Sequence, residues 1–318
     1  MPNLGIIFLL LGLAKNIHAK NWDGYGHRAT TVRMGFVTPK LKQLISNPEN
    51  SSAKEVDYEP NINSKFGIGL SVGNLALSGS FSQRKDQSSE SHFGQTTSTD
   101  YQIRFYGDVH SYDIFYQRYS GFYIENSNDI DPAYSGISDR IKRSDVEIEH
   151  YGVQYFYNFH SQNFHPGYFD QSAIPRKSGG SLFLMLAANH HRIAADSPLV
   201  PSELAGTYGQ FENFSGGHFQ TIKIGPAAGY CFVFKGFYLA GMGIITGGQQ
   251  RQSYSLLGEN KTKVLPQSSM SFKIGGGFNI QNFFISYNLI VDNTLFTIEN
   301  ARVAASTIES TIWTGFRF

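Results

Sequence analysis

With 26 Lys and Arg against 25 Asp and Glu over 318 residues, the chain is nearly neutral at +1 and offers no general attraction for nucleic acid or other polyanions. Its charged fraction of 16% is low and its aromatic fraction of 14% is high, and a single cysteine, Cys231, excludes an intrachain disulfide. A mean hydropathy below zero, with one long apolar run at residues 4–14, excludes a bundle of membrane-crossing helices.

That run, LGIIFLLLGLA, is too short to span a bilayer and reads as the core of a signal peptide over residues 1–19, with cleavage expected after Ala19. Export follows from it. Residues 20–50 hold Trp22, Gly24, Gly26 and a possible short helix near 40–45 without strong periodicity, which predicts a periplasmic N-terminal lead. From about Lys54 the chain becomes a succession of stretches rich in Tyr, Phe, Ile, Gly and Ser, bounded by turn residues, so residues 51–318 are expected to be all-β.

These stretches alternate. In KFGIGLSV, Phe66, Ile68, Leu70 and Val72 share one face; in NLALSGSFS, Leu75, Leu77 and Phe81; in DYQIRF, Tyr101, Ile103 and Phe105. Further on, Met270, Phe272, Ile274, Gly276 and Phe278 oppose Ser271, Lys273, Gly275, Gly277 and Asn279. Phe283, Ile285, Tyr287, Leu289 and Val291 likewise oppose Phe284, Ser286, Asn288 and Ile290, so an arginine is expected to be costly at Ile285 and mild at Ser286. The polar faces carry Gly, Ser, Asn and Gln with few charges, unlike the charged exterior of a soluble β-sandwich or calycin-like barrel. The pattern therefore predicts an antiparallel transmembrane β-barrel, apolar outside and polar inside. Tyr112, Tyr151, Phe237, Phe283 and Phe318 suit interfacial aromatic girdles. Three stretches, YDIFYQRYSGFYIE, GSLFLMLAANHH and FYLAGMGIITGG, choose no face, which predicts a bulge or an apolar patch in the lumen. Cys231, within GYCFVF, reads as a small apolar wall residue.

Connections give a second test of the barrel. Short links are expected at 73–74, 108–110, 235–236 and near 281, and long polar ones at 83–99, 125–144, 195–217, 251–267 and 297–302. With a first strand near 55–58 this gives about twelve strands and leaves both termini in the periplasm. The link at 159–180 breaks the alternation, being long on the periplasmic side; it is expected to enter the barrel or cover its base.

The final stretch, TIESTIWTGFRF, sets Ile308, Ile312, Thr314, Phe316 and Phe318 on one face and Trp313, Gly315 and Arg317 on the other. It resembles the C-terminal strand of outer-membrane barrels, in which a terminal aromatic is read by the barrel assembly machinery; Ile312, Phe316 and Phe318 are the expected assembly signal. YEPNINSKFGIGLSV, YDIFYQRYSGFYIE and FDQSAIPRKSGGSLFLMLAANHHRIAADSPLVP are similar to an exported bacterial family of unknown function, regarded as outer-membrane barrels and found mainly in Bacteroidota and some predatory bacteria. The resemblance implies fold and location, and no catalytic residues. The double His190-His191 departs from it.

Candidate chemistry is sparse. His110-Ser111 and His160-Ser161 fall on periplasmic links, the wrong rim for a lipid hydrolase, and adjacency does not place a base on a nucleophile. His160, His165, His190 and His191 lack the tight spacing of a metal site, and Gly275 to Gly277 interrupt a strand, so they read as tight wall packing instead of a phosphate loop. No cofactor or metal is expected. The expected lumen residues are Gln102, Arg104, Tyr106, His150, Gln154, Lys223, Lys273, Asn288, Asp292, Trp313 and Arg317, in which four cations face one anion and give a mildly anion-attracting interior. The sequence points to a monomeric, non-enzymatic barrel in outer-membrane lipid, with a narrow or occluded lumen that passes or binds a small solute or serves the envelope structurally. Two alternatives stand beside it: a lipid hydrolase, and an adhesion barrel acting through loop aromatics Tyr134, Tyr208, Phe211, Phe214 and Tyr254.

Overall fold

A computed structural model describes residues 30–82 and 86–318; the expected signal peptide lies outside them. The elements are β1 (Thr31–Ser46), β2 (Val56–Glu59), β3 (Lys65–Val72), β4 (Leu75–Ser82), α1 (Gln87–Phe93), β5 (Thr97–Tyr106), β6 (His110–Ile124), α2 (Ser127–Ile130) and β7 (Ile141–Asn158). There follow β8 (Gly179–Ala194), β9 (Gly216–Phe234), β10 (Phe237–Leu256), β11 (Glu259–Ile280), β12 (Phe283–Ile298) and β13 (Ala301–Arg317). Among the described residues no helix is long and apolar enough to cross a membrane.

Every pairing is antiparallel, and β13 returns to β1 in register from Thr31↔Arg317 to Ser46↔Arg302, which closes the ring. β2 and β3 pair with opposite ends of β1, Ile45↔Val56 and Thr31↔Ser71, and so form two halves of one descending stave broken after Pro60. Beside β2 the wall passes directly to β6 through Tyr58↔Ile124, while lower down β3, β4 and β5 fill that gap. The base therefore has twelve strands and the outer end ten; the base count equals the expected one, but with β1 in place of the 55–58 stretch, which belongs to the outer end.

Residues 31–46 are thus wall, not a periplasmic lead, and the barrel begins before residue 51. Arg33 and Val37 turn inward and Met34 and Phe36 outward, but Gly35, Pro39 and Lys40 blur the alternation. The helix-like spacing of Leu41, Leu44 and Ile45 yields to hydrogen bonding from β13 and β2 on both sides. Two expected outer loops are also strand. β10 and β11 meet at Leu257–Gly258, with φ of +52° and +83°, and β12 and β13 meet just past Glu299 at +51°, the left-handed geometry of tight hairpin turns. At 20 and 22 residues, β10 and β11 are about twice the roughly 9–11 residues needed to cross, so their tips project beyond the bilayer. In RQSYSL at the end of β10, Gln252, Tyr254 and Leu256 are buried and Arg251 and Ser255 exposed, whereas ENKTK at the start of β11 holds only exposed or half-buried polar residues and has no apolar face.

The facing prediction holds for the transmembrane staves. Ile222 is 72% exposed on the outer surface whereas Phe284 is fully buried inside. Phe283 packs on Phe316 at 5.5 Å and Tyr112 on Tyr155 at 5.2 Å, outward near the base, as an interfacial girdle requires. The fold is a transmembrane β-barrel of the outer-membrane type.

The three ambiguous stretches each have a cause. β6 is bulged between Ser120 and Phe122, where Gly121 has φ +86° and a Cβ would lie 2.1 Å from the Gln95 carbonyl oxygen. β8 and β10 are apolar on both faces because lipid covers one, and Phe183, Met185, Tyr238, Met242 and Ile244 on the other pack against chain inside the barrel.

Candidate functional site

The chain inside the base is the long link, residues 159–178. One side of it is apolar: Phe164, Tyr168 and Ala173 are buried against side chains of β7, β8, β9 and β10, including Cys231. A Cβ at Gly229 would come 2.9 Å from the Phe164 ring and one at Gly275 3.0 Å from Phe169, so these wall glycines make room for the aromatics. Its other side is polar and meets β1, β5 and β13. The Asp170 carboxylate accepts from Tyr106 Oη at 3.0 Å, from Arg104 at 3.5 Å and from the Ser172 hydroxyl at 2.6 Å, with Arg33 at 3.8 Å. Burial pushes the Asp170 carboxyl upward, but Arg33, Arg104 and the Ser172 donors outweigh it and hold it below the ordinary carboxylate value. Gln171, at φ +62°, binds Tyr238 and Arg317 through its side chain and accepts from Thr31 Oγ1 at 3.4 Å through its carbonyl. The segment thus grips both the first and the last strand at the seam.

The outer end is filled differently. The 195–215 loop sends Leu199, Leu204, Tyr208, Phe211 and Phe214 inward to pack with Ile45, Tyr58, Ile148, Phe219, Tyr254 and Phe296, a cluster drawing on most of the wall. Tyr208 Oη donates to the Ile45 and Lys54 carbonyls at 3.0 and 2.7 Å. Tyr208, Phe211, Phe214 and Tyr254 are therefore buried, which removes the observation that favoured adhesion through exposed loop aromatics; Tyr134 alone of the five is partly exposed. They are aromatic because they stop the barrel mouth.

Between these two packings lies a chamber of about 170 Å³, with a smaller hollow of about 70 Å³ beside the base segment. Gln102, Arg104, His150, Gln154, Lys223, Lys273 and Asp292 line the chamber, and Tyr106, Asn288 and Trp313 the hollow. Arg317 instead lies buried at the base over the Phe284 ring at 4.4 Å. The expected surplus of cations is not found. Asp113, which binds Arg104 Nε at 3.0 Å, and Glu309 also line the chamber, so Arg104, Lys223 and Lys273 face Asp113, Asp292 and Glu309. Glu309 was legible: counting back by twos from Arg317 reaches it. Asp113 was hidden in a stretch without a clear face, and Arg33 and Asp170 on segments whose place in the barrel no alternation revealed.

No catalytic constellation forms from the predicted candidates. His110 meets the Tyr155 hydroxyl at 2.7 Å, while Ser111, next in the strand, points to the opposite face. His190 and His218 face outward 3.2 Å apart, His191 lines the chamber and His165 is buried at the base. Among the described residues no three His, Cys, Asp or Glu side chains are grouped as a metal site.

A family model described as a domain of unknown function (DUF4421) matches residues 25–318, and the chain belongs to that family. No curated protein matches it. Solved structures that resemble it include the translocator domain of the autotransporter NalP from Neisseria meningitidis, at 12% identity and a TM-score of 0.45, covering 99% of this chain and 96% of that one. Others are the transport unit of the autotransporter AIDA-I from Escherichia coli, at 11%, 0.40, 99% and 98%, and the outer membrane protease OmpT from Escherichia coli, at 8%, 0.39, 95% and 100%.

Proposed function

We propose that this family member is a non-enzymatic outer-membrane barrel of a Gram-negative bacterium that holds a small solute in an occluded lumen and gives no free aqueous path across the membrane. The observation that carries the reading is the pair of packings around one polar chamber: the 159–178 segment below, fastened by Asp170 and Gln171, and the 195–215 loop above. Porins leave an open channel by using about 16–18 strands, and twelve leave a bore that two such segments can fill. Ring closure by β13 on β1 completes the wall within one chain, consistent with a monomer in outer-membrane lipid. Ile312, Phe316 and Phe318 lie outward, in or just past the seam strand, where the assembly machinery could read them.

Liposome swelling tests the reading. Vesicles holding the wild type should swell in small sugars no faster than empty vesicles, and those holding a variant with residues 160–178 and 196–214 each replaced by a short Gly-Ser linker, which clears both ends, should swell faster. Rapid swelling with the wild type would contradict it.

A further inference from the structure

We infer that the chamber takes a small zwitterionic solute; the inference rests on the occluded-barrel reading and names the ligand class for it. Lys223, Lys273, Asp292 and Glu309 line the chamber, and among the described residues none of them has an opposite charge within 4.0 Å. Lys223 Nζ reaches only the Ser269 hydroxyl, at 2.9 Å, and Lys273 Nζ lies 5.9 Å from the centre of the Phe156 ring. Glu309 receives one long bond, 3.5 Å, from Thr311 Oγ1. Gln267, 8% exposed, lines the same space with its Oε1 unpartnered, and so does His191 with its Nε2. Asp292 is exposed to the chamber and Lys223, Lys273 and Glu309 partly so, and a wall that offers both signs, held apart, is complemented by a solute that brings a carboxylate to the lysines and an ammonium to the carboxylates. A purely anionic or cationic solute would satisfy one set and leave the other. A volume of about 170 Å³ lies below the roughly 300–1,000 Å³ of drug-sized pockets and restricts the solute to amino-acid size.

The test refolds the mature chain in detergent with radiolabelled glycine, 4-aminobutyrate, butyrate or butylamine already present, so that entry does not depend on opening either end. Label retained after gel filtration is then counted. At least one zwitterion should be retained roughly tenfold above both single-charge probes, the scale of one partly screened charge pair. Asp292→Asn and Lys223→Gln should each lower that retention by a similar factor in chains that keep their heat-modifiable mobility; Glu309→Gln and Lys273→Gln replace either one that does not fold. No retention of either zwitterion, equal retention of the single-charge probes, or retention indifferent to loss of both signs would overturn the assignment. Absence of retention in a wild type that does not swell removes the ligand class alone, whereas free swelling removes the occluded barrel.

Discussion

Asp170 shows how one carboxylate can hold a segment in place. Because its folded value is lowered, its contribution is fully present above the ordinary carboxylate value of 3.8 and is lost as pH falls from there through the folded value. In a chain with residues 196–214 replaced by a short linker, so that the base segment alone blocks the bore, vesicles should therefore begin to swell only below about pH 4. In the same background Asp170→Asn, which keeps the shape but removes the charge facing Arg33 and Arg104, should swell at neutral pH and lose that dependence; identical profiles for the two would show that Asp170 does not fasten the base. On the outer surface, Ile274 faces lipid midway along the β11 apolar face and pairs with Leu289, so Ile274→Arg should cost about 2–4 kcal/mol in bilayer unfolding, as a midplane arginine does. Ile285 lies only two residues from the start of β12, near the interface, and an arginine there should cost less. Ser286 is 2% exposed in the packed base, so the mild effect expected from alternation alone gives way to a real loss.

At the scale of elements, what the sequence made legible depended on what each face touches. β11 and β12 meet lipid on one side and a mostly polar interior on the other, and the period-2 pattern over 270–279 and 283–291 assigns their faces correctly. β8 and β10 meet lipid outside and the aromatics of 159–178 inside, so their pattern is apolar throughout; the missing alternation was itself the trace of an occupied bore. The reverse occurs at the tips of β10 and β11, where residues 259–263 are all polar and only Tyr254 and Leu256 keep an apolar face, which made strand look like loop. β1 escaped notice because a run containing Gly35 and Pro39 is strand only by virtue of β13 and the interrupted β2–β3 stave on either side. Gly229 tests the internal segment at this scale. Gly229→Leu places a side chain where Phe164 lies and, in the chain with residues 196–214 replaced, should raise swelling toward that of the variant with both segments replaced, while unchanged swelling would mean that Phe164 is not seated there.

The whole molecule is a ring closed by its first and last described strands and filled from both ends. The closed barrel and the outward apolar surface were readable because they follow from a repeated local rule. The length of the 159–180 link announced an occupied base, but the contacts that fasten it and the balanced chamber were not readable, because they join residues more than a hundred positions apart, such as Arg33 with Asp170 and Gln171 with Arg317. The central claim is that residues 159–178 fill the base, and Cys231, the one cysteine of the chain, is a native reporter of it. Its side chain points inward and is buried with Phe164 and Tyr168. The most direct measurement is the rate at which a water-soluble maleimide labels Cys231 in the folded, membrane-inserted protein. Labelling should be negligible in the wild type and fast once 160–178 is replaced by the short linker; a wild type that labels as fast as the linker variant would contradict the account.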